Sequence, residues 1–148
     1  MSAQLLEGKS VALKIKEYIK LEIESLKNKY SAQPKLVSIQ VGENSASEIY
    51  IKSQEKTAMG LGIDYELRKL DGKITQDELV KAIDNLNNDK NVHGIIVQLP
   101  LPKHIDSEAI VMAIDPKKDA DGLHPYNQGL VGRLKSWNEI QDSGFALP

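Results

Sequence analysis

Helical and strand-like stretches alternate along this chain, and that alternation limits the folds open to it more than any other feature. Short runs rich in β-branched residues and bounded by Gly, Pro or Asp predict three strands, at residues 35–41, 63–70 and 94–99. Apolar residues at helical spacing predict helices at residues 10–30, 45–61, 76–86 and 107–114. Strands joined by helical crossovers form a parallel sheet, so we expect a three-layer α/β domain.

Two helices carry further signals in the sequence. The first is predicted to be amphipathic, with one face formed by Val11, Ile15, Tyr18, Ile19 and Ile23. The third is predicted to begin at a capping box, in which Thr75 and Glu78 satisfy free backbone N–H groups reciprocally.

Composition excludes several classes of function. With 148 residues the chain fits one α/β domain, and without cysteine it holds no disulfide, thiolate metal site or cysteine nucleophile. The net charge of −2, from 19 basic and 21 acidic residues, gives no electrostatic reason to bind nucleic acid. No apolar run approaches the roughly 18 residues of a membrane span, and no signal peptide is evident. We expect a cytoplasmic protein with no membrane partner.

Ligands of parallel sheets bind beyond the carboxyl ends of the strands, so the segments there are the candidate site. Gln98 closes an apolar strand and precedes Leu99, Pro100, Leu101 and Pro102. The prolines cannot pair as sheet, so the segment is either an edge turn or the rigid wall of a flat pocket. In the second case Gln98 offers a donor and an acceptor.

Asp121 precedes Gly122 in a second polar segment, residues 119–129. An Asp-Gly pair is usually a turn. Alternatively, the carboxylate pairs bidentately with an N–H/NH₂ edge such as a guanidine-like heterocycle presents. His93, His104 and His124 do not have metal-ligand spacing, so we interpret them as structural or surface residues and predict no metal site.

The helix that follows the first strand carries the third candidate group. Ser47, Tyr50 and Gln54 share one helix face because they are three or four residues apart. Lys52 and Lys56 lie about 160° around the helix from Gln54, on a face that we expect to be solvated. Tyr50 is either a core residue or a ring that stacks on a planar ligand. The sequence has no G-x-G-x-x-G or Walker A motif, which predicts that no dinucleotide binds to this chain.

The three segments together resemble a known family. Residues 41–50 (VGENSASEIY), 94–102 (GIIVQLPLP) and 118–129 (KDADGLHPYNQG) are similar, in this order, to motifs of the bifunctional methylenetetrahydrofolate dehydrogenase/cyclohydrolases. The resemblance extends from about Leu6 to Leu134. It implies oxidation of 5,10-methylenetetrahydrofolate by hydride transfer to NADP or NAD, followed by hydrolysis of the methenyl product to 10-formyltetrahydrofolate.

The resemblance also implies roles for individual residues. Asp121 falls on the carboxylate that holds the pterin edge, and Tyr50 on the aromatic ring that stacks along the folate. Gln98 falls on the amide that orients the catalytic lysine, and Ser47 on a hydroxyl near it. The slot for the pterin is then lined by Leu99, Pro100 and Leu101.

The chain departs from the family pattern at Gln54, which occupies the position of the catalytic lysine. A neutral amide does not shuttle protons, so the cyclohydrolase step is expected to be impaired. The sequence also stops at Pro148, where the family continues into a Rossmann domain. We therefore expect a folate-binding catalytic domain at residues 1–134, the start of a connection at residues 135–148, and a nicotinamide cofactor bound elsewhere. Full-length members of the family are expected to form homodimers.

Three hypotheses remain at this point. The chain is part of a folate enzyme, or a non-catalytic folate-binding module derived from one, or an α/β domain of flavodoxin-like winding with another ligand. The three motifs favour the first two.

Overall fold

The computed structural model describes residues 7–136 together with residues 138 and 139. Its sheet has three parallel strands in the order β2-β1-β3, with β1 (Lys35–Val41) between β2 (Asp64–Leu70) and β3 (Gly94–Val97). The helices are α1 (Gly8–Tyr30), α2 (Ser45–Leu61), α3 (Gln76–Asn88), α4 (Ser107–Ala113) and α5 (Pro125–Val131). The predicted α/β architecture with helical crossovers is therefore confirmed.

The apolar core lies on the side of the sheet that faces α3 and α4. Alternate residues of β1 and β3 point to this side, and they pack against apolar side chains of the two helices. The fully buried members are Val37, Ile39, Ile95, Leu79, Ile83, Leu86 and Ile110. Burial of each of these aliphatic side chains stabilises the folded state by about 1.5–3 kcal/mol. This layer therefore fixes the position of the strands that carry the site.

Helix α3 begins at the predicted capping box. The backbone N–H of Glu78 donates to Oγ1 of Thr75 at 3.3 Å, and the backbone N–H of Thr75 donates to Glu78 at 2.9 Å. The second hydrogen bond lowers the pKa of Glu78, because it stabilises the carboxylate.

The end of the third strand and the fifth helix differ from the sequence prediction. Strand β3 ends at Val97, two residues earlier than predicted. Gln98 and Leu99 therefore belong to the loop that follows the strand at the carboxyl end of the sheet. Helix α5 (PYNQGLV) was not predicted, because Asn, Gln and Gly occupy its middle and it shows no apolar periodicity. Its local signals are Pro125 at the first helical turn and His124, whose Nδ1 accepts from the backbone N–H of Tyr126 at 3.1 Å.

Helix α1 is present, but its apolar face is not buried as an amphipathic pattern suggests. Val11, Ile15 and Tyr18 are 57%, 52% and 63% exposed, and only Ile23 among the buried residues belongs to this helix. Helical spacing indicates which residues share a face, but not whether another part of the described chain covers that face.

No helix within the described ranges is long and apolar enough to cross a membrane. The connection predicted for residues 135–148 lies mostly outside the described residues.

Candidate active site at the carboxyl end of the sheet

A cavity of about 390 Å³ opens where β3 ends, between α2 and the segment that carries Asp121. It brings together residues from all three candidate segments, although they are far apart in the sequence. The lining residues are Asn44, Ser47, Tyr50, Gln54, Ile96, Val97, Gln98, Leu99, Pro100, Asp121 and Leu123. The position agrees with the general rule for parallel sheets.

Gln98 stands at the base of the cavity and joins two walls of it. Its side-chain Nε2 donates to Oγ of Ser38 on β1 at 2.8 Å and to Oε1 of Gln54 on α2 at 2.9 Å. Gln98 is 8% exposed and Ser38 is fully buried, so the amide is held away from bulk solvent. These two hydrogen bonds fix Gln54 relative to the end of the sheet.

Tyr50 and Ser47 line the cavity from the first turns of α2. The ring of Tyr50 is 61% exposed, which excludes the interpretation that it is a core residue. The backbone N–H of Ser47 donates to Oδ1 of Asn44 at 3.3 Å, so the loop before α2 is tied to the helix. An exposed ring at a cavity wall is able to stack on a flat ligand.

Asp121 supplies the negative charge of the site. It is half-buried and is followed by Gly122, whose φ of 67° lies in the left-handed region that glycine adopts without strain. Burial raises the pKa of the Asp121 carboxyl, and the neighbouring charge of Asp119 raises it further. A ligand that offers hydrogen-bond donors to Asp121 therefore stabilises its charged form.

Asp119 organises the segment that carries Asp121, a role that the sequence pattern did not predict. It is 3% exposed, and its carboxylate accepts hydrogen bonds from the backbone N–H groups of Leu123 and His124 at 3.3 and 2.9 Å. It also accepts from Nδ2 of Asn127 at 2.9 Å. The only signal in the sequence is an acidic residue placed shortly before a predicted loop.

The segment that carries the two prolines forms less of the cavity wall than predicted, since neither Leu101 nor Pro102 lines the cavity. Leu99 and Pro100 line the cavity, and the peptide bond between them is cis. Leu101 does not line the cavity, because its side chain packs against the apolar core on the other side of this segment.

The lysines of α2 and the three histidines lie outside the cavity, as their sequence positions suggested. Lys52 and Lys56 are exposed, and neither lines the cavity. Nδ1 of His93 accepts from a backbone N–H, the ring of His104 contacts a backbone carbonyl, and His124 caps α5. Among the described residues, no group of three or more acidic, His or Cys side chains could hold a metal ion.

Comparison with known proteins decides which family this geometry represents. Residues 6–121, more than half of the chain, match the model of the tetrahydrofolate dehydrogenase/cyclohydrolase catalytic domain. The chain belongs to this family. The matched residues include the cavity-lining residues from Asn44 to Asp121, Gln54 among them.

Individual tetrahydrofolate dehydrogenase/cyclohydrolases are also similar to this chain over most of its length. The chain is 44% identical to the bifunctional protein FolD of Streptococcus equi subsp. zooepidemicus over 126 residues, which is 85% of this chain and 44% of the relative. It is 44% identical to the crystal structure of the bifunctional FolD enzyme from Campylobacter jejuni, with a TM-score of 0.84 over 88% of this chain and 46% of that one.

A third relative is the dehydrogenase-cyclohydrolase of Trypanosoma brucei, solved in complex with NADP and an inhibitor. It is 34% identical, with a TM-score of 0.83 over 90% of this chain and 46% of that chain. This chain therefore spans somewhat less than half the length of the tetrahydrofolate dehydrogenase/cyclohydrolases that it matches.

One relative is solved in complex with NADP and another is NAD-dependent, which raises the question of whether the turn after β1 resembles a dinucleotide-binding turn. In a dinucleotide-binding domain the turn after the first strand carries three glycines that cradle the pyrophosphate. Here the turn between β1 and α2 has a single glycine, Gly42, and the acidic Glu43 follows it. This turn therefore lacks the three glycines of a dinucleotide-binding turn.

Proposed function

We propose that this chain supplies the tetrahydrofolate site of a methylenetetrahydrofolate dehydrogenase/methenyltetrahydrofolate cyclohydrolase. The observation that carries the proposal is that Tyr50, Gln98 and Asp121 line one cavity at the carboxyl end of the sheet. The carboxylate of Asp121 receives the N–H and NH₂ groups of the pterin, while Tyr50 stacks on the aromatic part of the folate. The alternative of a flavodoxin-like domain with another ligand does not account for these three residues.

The proposed chemistry has two steps. Oxidation removes a hydride from the methylene carbon of 5,10-methylenetetrahydrofolate and gives the 5,10-methenyl cation; the oxidised cofactor, NADP⁺ or NAD⁺, would supply the hydride acceptor when bound. Hydrolysis then adds water to the methenyl carbon, releases one proton and opens the bridge to 10-formyltetrahydrofolate. In both steps the residues of this chain hold the folate so that its one-carbon unit lies near Gln54 and Gln98.

The hydrolytic step is the one that Gln54 weakens. Addition of water needs a proton acceptor near the attacking oxygen, and an amide has no pKa in the useful range. Within the described residues the cavity has no Lys, Arg or His side chain in its lining. We therefore propose that the chain supports alignment for hydride transfer better than it supports hydrolysis.

Three further assignments belong to the same proposal. Residues 1–134 form the folate-binding domain, and residues 135–148 begin a connection to a Rossmann domain that binds NADP or NAD. We propose a cytoplasmic location, in line with a sequence that contains no cysteine. The partners are tetrahydrofolate derivatives, and a homodimer is proposed for the full-length enzyme.

The experiment that tests the site is a ligand titration of the ¹⁵N-labelled chain, followed residue by residue by NMR. With 5-formyltetrahydrofolate, a stable reduced folate, we expect saturable shifts at Ser47, Tyr50, Gln98 and Asp121. The groove between α1 and α2, lined by Lys16 and Thr57, serves as the internal control and should not shift. Shifts confined to that groove, or none at saturating ligand, would contradict the proposal.

A second candidate function, a folate-binding module without catalysis, is favoured by the same Gln54. The two differ in turnover and not in binding. Hydrolysis of 5,10-methenyltetrahydrofolate no faster than in buffer, in a chain that binds it, would indicate the module.

A further inference from the structure

Lys118 joins the segment that carries Asp121 to the end of helix α3. Its ammonium group donates hydrogen bonds to the backbone carbonyl oxygens of Leu86, Asn87 and Asp89 at 2.8, 2.7 and 2.7 Å. An ammonium group carries three hydrogens, so these three bonds use its whole donor capacity. Because Lys118 is half-buried, the contact is partly shielded from water.

The end of α3 is a favourable place for a cation. The last carbonyl groups of an α-helix have no N–H partner within the helix, and they form the negative end of its dipole. Helix α3 has no basic residue in its own last turn. Lys118, which follows Asn87 by 31 residues, supplies the positive charge from another part of the chain. The contact therefore links two elements that are distant in sequence.

The stretch that contains Lys118 also runs beside strand β3. The backbone N–H of Ile95 donates to the carbonyl oxygen of Lys118 at 2.7 Å, and the N–H of Ala120 donates to the carbonyl oxygen of Ile95 at 3.2 Å. Asp121 follows Ala120 directly and lines the cavity. The chain therefore enters the cavity from a stretch that is held by backbone bonds to the sheet and by the side chain of Lys118 to α3.

The other side-chain hydrogen bonds near this stretch attach it to different places. The carboxylate of Asp119 accepts from donors at residues 123–127, so it ties the stretch to the loop and to helix α5, which follow it in the chain. Oδ1 of Asn87 accepts from the backbone N–H of Asp115 at 2.9 Å, which fixes the chain before the stretch begins. Within the described part of the chain, Lys118 is thus the side-chain attachment to α3 that lies nearest to the carboxylate of the cavity.

We propose that Lys118 is a positioning residue, which sets the place of the Asp121 carboxylate at the cavity wall by holding the chain on α3. Lys118 does not line the cavity, so it acts through Asp121 and not by contact with a ligand. The identity of the ligand, a reduced folate, rests on the proposed function, whereas the placing of Asp121 is a property of the unliganded chain.

The variant that tests this role is Lys118→Met. Methionine keeps most of the aliphatic arm of the lysine and removes its three donor hydrogens. Lys117→Met is the matched control, because Lys117 is the neighbouring lysine and is exposed. If Lys118→Met does not fold, Lys118→Gln takes its place, since it keeps two donor hydrogens on a shorter arm and should show the same changes at smaller amplitude.

The first measurement uses no ligand and follows the pKa of the Asp121 carboxyl by NMR titration. Burial and the charge of Asp119 raise this pKa, so it reports whether the carboxyl keeps its place. In Lys118→Met we expect the pKa to fall towards 3.8, because the carboxyl becomes more exposed, and in Lys117→Met to stay as in the parent chain. Loss of the lysine charge by itself would shift the pKa in the opposite direction. A pKa that is unchanged or higher in Lys118→Met would overturn the positioning role.

The second measurement is a double-mutant cycle on the Kd of 5-formyltetrahydrofolate. Lys118→Met should weaken binding about five- to tenfold in the parent chain but less than about twofold in Asp121→Ala, because no carboxylate is left there to be positioned. Lys117→Met should bind like the parent chain. An equal loss in both backgrounds would overturn the proposal. If the parent chain did not bind the folate, the proposed function would be wrong, whereas the pKa measurement would still decide the role of Lys118.

Discussion

Asp119 and Asn127 are joined by a hydrogen bond of 2.9 Å from Nδ2 of Asn127 to Oδ2 of Asp119, and both side chains are buried. Asn127 also donates to the backbone carbonyl of Pro116 at 2.8 Å. The pair therefore connects helix α5 to the segment that enters the site. Through this connection Asp121 is held at the wall of the cavity without being part of a regular element.

Asp119→Ala should destabilise the chain and weaken folate binding together. Removal of the carboxylate leaves the N–H groups of Leu123 and His124 and the amide of Asn127 without their acceptor, which we expect to cost about 3 kcal/mol. Urea unfolding measures the loss, with Asp84→Ala, an exposed aspartate on α3, as the control. A variant as stable as the control would show that the loop does not depend on Asp119.

Gln54→Lys should restore hydrolysis of 5,10-methenyltetrahydrofolate. The introduced amine would lie at the cavity wall that Gln54 now occupies, where it is able to take up a proton, and such help is typically worth about 10²–10⁴ in rate. The decay of the methenyl compound is followed by absorbance, with no nicotinamide required. The control is Ser53→Lys, which places the amine one residue away on an exposed position. Equal rates for the parent chain and Gln54→Lys would show that this position does not carry the proton.

Asp121→Asn should stabilise the unliganded chain at neutral pH. Folding raises the pKa of this carboxyl above its ordinary value of 3.8, through burial and the charge of Asp119. A group with a raised pKa favours the folded state fully below its unfolded pKa and progressively less as the pH rises through its folded pKa. The melting temperature of Asp121→Asn should therefore exceed that of the parent chain at pH 7.

The gain from Asp121→Asn should shrink as the pH falls through the raised pKa towards 3.8, because the protonated carboxyl then resembles the amide. Asp84→Asn, on the solvent-exposed side of α3, should show no such pH dependence. A difference in melting temperature that stayed constant across this pH range would mean that another property of the substitution causes it.

Much of this fold was predictable from the sequence, because the sheet has one continuously apolar side. The apolar, β-branched runs of β1 and β3 favour strands by themselves, whatever packs against them in space. They include Val37, Ile39 and Ile95. The end of β3 and helix α5 were not predictable, since strand pairing decides the first and the second has no apolar periodicity. The exposure of Val11 on α1 also depends on what lies beside the helix in space.

The candidate site was predictable in part. Tyr50, Gln98 and Asp121 each follow a strand end or begin the next element, so their convergence follows from the topology of a parallel sheet. Ser38 was not predictable, because its position within an apolar strand does not indicate that it contacts Gln98, which is 60 residues away. Leu101 was predicted to line the site because it is adjacent to it in sequence, but its side chain packs against the core.

The central claim is that this cavity binds a reduced folate through Asp121, and calorimetry with 5-formyltetrahydrofolate tests it most directly. The parent chain and Asp84→Ala should bind with the same Kd. Asp121→Ala should bind about ten- to a hundredfold more weakly, because a charged bidentate contact worth about 1.5–3 kcal/mol is lost. Equal affinity in Asp121→Ala and the parent chain would contradict the claim and place the pterin elsewhere.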